Sequence, residues 1–140
     1  TYVFWRPVTA IQLAPTDPDA TWTPLLITPS HPEYPSGHST ASGAAAAALA
    51  AYFGEEASFS VDSDGMVGVI RSFTSFSEAL DEIKDARIFA GIHFRSACDD
   101  GQATGQKVAG YILNNSLRAV HGKRNDDHGR HNGHHGEDND

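Results

Sequence analysis

The sequence predicts a mainly α-helical domain, a helical bundle with a small β-hairpin insertion, and three observations predict it. The alanine-rich run from Ala41 to Tyr52 stops at Gly54, a residue suited to the backbone conformation in which helices end. Ser75 stands three residues before Glu78, a spacing that lets side chains satisfy the free N–H groups of a helix start, and apolar residues follow at helical intervals. Asp62-Ser63-Asp64-Gly65 separates two short runs of alternating apolar residues, as the turn of a hairpin does. At 140 residues the chain has room for one core. The domain is assigned to residues 1–120 and a tail to residues 121–140.

Taken in order, residues 1–13 read as the end of a helix or an extended apolar segment, broken near Arg6-Pro7 because proline cannot continue a helix interior. Pro15, Pro18, Pro24, Pro29 and Pro32 then mark a long ordered loop to Tyr34, and loops of that length in compact domains are usually functional. A helix is expected from about His38 to Phe53. The hairpin pairs Ser58–Val61 with Met66–Ile70; Asp62, Asp64 and Gly65 form its turn rather than a calcium loop, which would need a later glutamate. The second helix runs from Ser75 to about Ala97 with Phe76, Leu80, Ile83, Ala86 or Ala90, and Phe94 on one face. The third covers about Gly101 to Val120, with Val108, Ile112 and Leu113 on one side. Gly105 and Gly110 either weaken that helix or permit close packing. Beyond His121 no apolar residue remains to bury, so the tail is expected to be disordered. Its His121, His128, His131, His134 and His135 could chelate a divalent metal, but they lack the fixed spacing of a structural zinc site and read better as solvated.

Composition narrows the function classes. A formal charge of −8 argues against nucleic acid or an anionic membrane surface as partner, so any anion site has to be local. No apolar run reaches the roughly 18 residues of a membrane span. The lone Cys98 excludes an internal disulfide framework and reads as a small buried apolar residue. The first residue is Thr and no signal peptide is visible, so the chain reads as trimmed at its N-terminus.

The chemistry concentrates at Pro35-Ser36-Gly37-His38-Ser39, directly ahead of the alanine run. The first N–H groups of a helix lack partners and carry the positive end of its dipole, so an oxyanion can be seated by the Ser36 hydroxyl and the Gly37 amide. His38 stands beside it with an ordinary pKa of about 6.5, suited to proton transfer near neutrality. Arg87 and His93, six positions apart on the expected second helix, lie about 9 Å apart along its axis, and a long arginine can converge with the histidine on one ligand. Alone, the pair reads better as a solvated face or a salt bridge to Asp85. Arg95 reads as a surface residue near Asp99, and Trp5 and Trp22 as packing residues more than as a substrate entrance.

The order Arg6-Pro7, then Pro35-Ser36-Gly37-His38, then Arg87-x5-His93 resembles the vanadium-dependent haloperoxidases and the type 2 phosphatidic acid phosphatases that share their site. The likeness is greatest to the soluble haloperoxidase branch, through Tyr2–Thr9, His31–Ser39 and Arg87–Phe94. It implies vanadate held on His93, with His38 as the acid/base histidine and Arg6, Arg87, Ser36 and Gly37 as oxygen donors; phosphate can occupy the same place. His31 resembles the histidine that bromide- and iodide-oxidising members carry. The activity implied is oxidation of bromide or iodide by hydrogen peroxide. Two alternatives stand beside it: hydrolysis of phosphate monoesters through a phosphohistidine at His93, and a noncatalytic assembly module derived from the fold. The family's lysine, seven residues before the first arginine, would fall two positions before Thr1. The chain is therefore expected to be the C-terminal part of a larger protein, able to form a homo-oligomer or assembly, and the family favours a secreted or periplasmic location. The family's aspartate four residues after the metal-binding histidine is Ala97 here, which leaves Asp99 or Asp100 to orient the ring.

Overall fold

The computed structural model describes residues 4–116 of the chain, so the expectations for the tail and for the last turn of the third helix lie outside the described residues. In order come α1 (Pro7–Gln12), α2 (Gly37–Phe53), β1 (Phe59–Val61), β2 (Arg71–Phe73), α3 (Phe76–Phe89) and α4 (Arg95–Asn115). Pro7 does not break a helix: it opens α1 at the first position, where its missing N–H costs nothing and its fixed φ suits the helix. The loop from Leu13 to Ser36 is pinned at intervals, with Gln12 Nε2 donating to the Trp22 carbonyl at 2.9 Å and Leu26 N to the Ala90 carbonyl at 3.3 Å.

The core sits where α2 and α4 lie against each other, and small residues let their backbones approach. A Cβ added to Gly105 would lie 2.0 Å from the Thr40 carbonyl oxygen, one on Gly101 2.7 Å from that of Ser36, and one on Gly43 2.8 Å from that of Gln102. Close packing is therefore the role of Gly105. At Gly110 the added atom would meet nothing within 4 Å. The packed face of α4 is Ala97, Cys98, Gly101, Gly105 and Ala109. This corrects the expected face, since Val108 and Ile112 are exposed. Cys98 is fully buried, as a small apolar residue.

The hairpin forms with a different second strand. Phe59 pairs with Phe73 and Val61 with Arg71, while Val67 and Ile70 stay exposed in the connection. Aromatic packing sets this register: the Phe59 ring lies 5.4 Å from that of Phe73 and 5.2 Å from that of Phe76 on α3. The Ser75 hydroxyl caps α3 by accepting from Glu78 N at 3.1 Å, and Phe76 and Leu80 bury the helix against the rest.

The expected single helix from Ser75 to Ala97 is two helices. Gly91 has φ +72, and the Trp22 ring and Pro24 sit where a side chain at Gly91 would go. Only glycine suits both the angle and the crowding. The chain turns there, and Arg87 and His93 no longer share a helix. No helix among the described residues is long and apolar enough to cross a membrane.

Candidate active site

Four stretches bring the predicted residues together: Arg6 at the start of α1, the loop His31–Ser36 with the first turn of α2, the last turn of α3, and the α3–α4 link. Arg6 is the bolt between three of them. Its Nη1 donates to the Ile92 carbonyl at 2.5 Å and lies 3.5 Å from His93 Nε2. Its Nη2 donates to the His31 carbonyl at 2.6 Å and the Pro32 carbonyl at 3.3 Å. His31 stacks on His93, ring centres 6.1 Å apart.

His93 is buried in the link, and beside it, buried in the loop ahead of α2, lies a residue that the motifs did not single out. Glu33 Oε1 lies 3.4 Å from His93 Nδ1 and accepts from Phe94 N at 2.9 Å. Asp99 and Asp100, expected to orient the His93 ring, do not reach it. Asp99 pairs with Lys84 at 3.2 Å, and Asp100 accepts from the Tyr34 hydroxyl at 2.8 Å. The carboxyl beside His93 arrives from the loop instead, because the turn at Gly91 moves His93 off the helix and toward residue 33. The sequence offers no direct signal for Glu33 beyond the alanine at position 97, which leaves His93 without an aspartate four residues on. Burial, and after it the Arg6 guanidinium, hold the His93 pKa below its ordinary value, and Glu33 works against them.

Ser36 caps α2 and is fully buried. Its Oγ accepts from Ser39 N at 3.4 Å and from the Ser39 hydroxyl at 3.1 Å, which leaves its own proton to donate. Ser36 N donates to the Ala97 carbonyl at 2.9 Å, tying the turn to α4. The peptide Tyr34–Pro35 is cis. Gly37 opens α2 with free space on its Cα, and His38 follows it, exposed.

Arg87 on α3 lies close enough to Arg6 and His38 to act on both electrostatically. Burial, then Arg87, then His31 lower the His38 pKa, and Arg6 is lowered by burial and by Arg87 while Glu33 raises it. Cations converging in a chain of net charge −8 invite an anion. Arg95 is not among them, since it pairs with Asp85 at 2.6 Å. Phe4, Trp5, Ala10, Phe94 and Ser96 line an apolar recess of about 490 Å³ flanking Arg6 and His93; Trp22 packs on Gly91 instead.

The residues fit a tetrahedral oxyanion. Nε of Arg6 and Nε of Arg87 are buried donors without a protein acceptor, a condition that costs roughly 1–3 kcal/mol or more each and that an oxyanion relieves. His93 has Nδ1 facing the Glu33 carboxyl at 3.4 Å and Nε2 facing Arg6 Nη1 at 3.5 Å, so a ligand on Nε2 would take the place of that long contact to Arg6. No group of three or more metal-ligating side chains occurs among the described residues.

A family model described as the VCPO second helical-bundle domain matches residues 1–122. The chain is similar to a bacterial vanadium-dependent iodoperoxidase of known structure, with 42% identity, 78% of this chain and 26% of that chain covered, and a TM-score of 0.70. Apo and holo structures of a bacterial vanadium-dependent chloroperoxidase share the fold at 21% and 20% identity, covering 64% and 65% of this chain and 22% of each of theirs, with TM-scores of 0.52 and 0.53. The chain thus spans about a quarter of the length of the solved structures it matches. No curated protein matches it. With the family model matched over residues 1–122 of the 140 and the helical fold shared with these enzymes, the chain belongs to the vanadium haloperoxidase superfamily.

Proposed function

We propose that the chain carries the oxyanion-binding centre of a vanadate-dependent haloperoxidase that oxidises bromide or iodide with hydrogen peroxide. The observation that carries this is the convergence of Arg6, Arg87, His38 and His93, with two buried guanidinium Nε atoms that have no protein acceptor. His93 would hold the vanadium, and Arg6, Arg87, the Ser36 hydroxyl and the Gly37 amide would hold the oxygens. Bound vanadate supplies Lewis acidity that polarises peroxide without a change of metal oxidation state.

The protein's own part is binding, orientation and proton handling. The arginines neutralise the anion with charge-assisted hydrogen bonds. His38, disposed to be neutral by partial desolvation of its ring and by the nearby Arg87 guanidinium, accepts a proton at its ring as peroxide enters and returns it as water leaves. Overall, hydrogen peroxide, one halide ion and one proton give hypohalous acid and water. His31, beside Arg6 and His93, stands where it can tune the halide.

Iodide and bromide oxidation, measured with and without orthovanadate, tests this function. Peroxide-dependent oxidation restored by vanadate and lost in His93→Ala is the expected result; His38→Ala should bind vanadate but turn over slowly. Hydrolysis of phosphate monoesters inhibited by vanadate would replace it with phosphatase chemistry on the same residues. Neither activity, in a full-length protein that contains this domain, would leave a noncatalytic module.

A further inference from the structure

We propose that Glu33 is the positioning residue of His93: its buried carboxyl group accepts a hydrogen bond from Nδ1–H, which keeps the proton on Nδ1, so that the imidazole presents an unprotonated Nε2 to the anion site. The part that concerns the anion rests on the function proposed above; the part that concerns the ring does not. Glu33 is 2% exposed, as is His93. The Phe94 N–H, donating at 2.9 Å, fixes Oε1 beside the ring, and from there Oε1 faces His93 Nδ1 at 3.4 Å. On the opposite edge of the ring, Nε2 faces Arg6 Nη1 at 3.5 Å. A guanidinium nitrogen can only donate, so a proton on Nε2 would meet the protons of Arg6 head-on. An acceptor on one edge and a donor on the other select the same tautomer, with the proton on Nδ1. The stacked His31 ring borders His93 on one face.

The chain connectivity gives this a further consequence. Glu33 is three residues before Ser36, in the loop that also supplies the His31 and Pro32 carbonyls to Arg6. One short segment therefore orients the imidazole, anchors the arginine and leads into the helix start. The aspartates at positions 99 and 100 have other partners, so the carboxyl group that faces the far nitrogen of the histidine comes here from the loop.

Nitrogen NMR of histidine-labelled full chain at mildly alkaline pH, where the ring is neutral, reads the tautomer directly. His93 is expected to carry its proton on Nδ1 in the parent protein and in Glu33→Gln, whose Oε1 is held toward the ring by the same Phe94 N–H. Glu33→Met removes the acceptor, and the proton should redistribute to Nε2. Orthovanadate affinity by calorimetry should fall about 10–100-fold in Glu33→Met and be largely kept in Glu33→Gln. A proton on Nε2 in the parent protein, or an unchanged tautomer in Glu33→Met, overturns the proposal; if Glu33→Met does not fold, the parent spectrum still decides. If the tautomers follow expectation while the parent protein binds no vanadate, the haloperoxidase function falls and the role of Glu33 stands.

Discussion

His38 is the site group whose protonation the surroundings push in a single direction, because burial, Arg87 and His31 all disfavour its cation. Replacing Arg87 with Met should therefore raise the His38 titration midpoint toward 6.5, read from its ring proton shifts; a midpoint that stays put would show that Arg87 does not face it. The sign for stability follows. With the folded pKa below about 6.5, the unfolded chain binds more protons between the two values, so stability rises with pH through that window and is lost as pH falls through the folded pKa. His93 is shifted the same way, so the unfolding midpoint should drop on acidification from 6.5, and His38→Gln should remove part of the slope. At Ser36, alanine removes the hydroxyl that accepts from Ser39 N and should cost about 1 kcal/mol as a lost helix cap, measured by denaturant unfolding. Ser36, Gly37 and His38 stood out as candidates because a helix start able to seat an anion restricts the residue types that can serve it, whereas His31, Arg6 and Arg87 stood out through the family resemblance. Glu33 was not legible, because a glutamate between prolines in a polar loop looks solvated until the chain folds over it.

Among the elements, the helix starts and ends that depend on local chemistry were legible. Ser75 capping α3 and Gly54 ending α2 depend on neighbours within a few residues. The break between α3 and α4 depends on Trp22 and Pro24, some seventy residues away, seated on Gly91, and no local pattern in Arg87–Phe94 announces it. The strand register failed for the same kind of reason, since an aromatic on another element sets it. The α2–α4 contact gives a paired test by denaturant unfolding. Gly105→Ala would drive a methyl into the Thr40 carbonyl and the Ala44 amide, backbone atoms that no rotamer can move. It should cost about 1–3 kcal/mol or more, despite alanine's higher helix propensity. Gly110→Ala meets open space in the same helix and should stabilise by roughly 0.5–1 kcal/mol. Equal effects at the two positions would mean that the helices do not touch through the small-residue face.

Over the whole molecule, the residues that meet at the site are far apart in the chain: Arg6 and His93 are separated by 87 positions. An anion bridging them closes a loop around most of the described residues, and it does so only in the folded state, where burial withholds the Arg6 and Arg87 Nε atoms from solvent. Binding to the folded form alone adds stability by mass action, about 2.7 kcal/mol at a ligand concentration one hundred times the dissociation constant. For a domain of this size that corresponds to a rise of roughly 10 °C in the unfolding midpoint. Orthovanadate should produce such a rise, and phosphate, of the same shape and charge type, a rise of the same kind; chloride at equal ionic strength should not, because screening of a net charge of −8 is common to all three salts. Arg6→Ala and His93→Ala should each abolish most of the vanadate shift. A shift that survives in both variants would put the anion elsewhere on the protein, away from the Arg6–His93 contact.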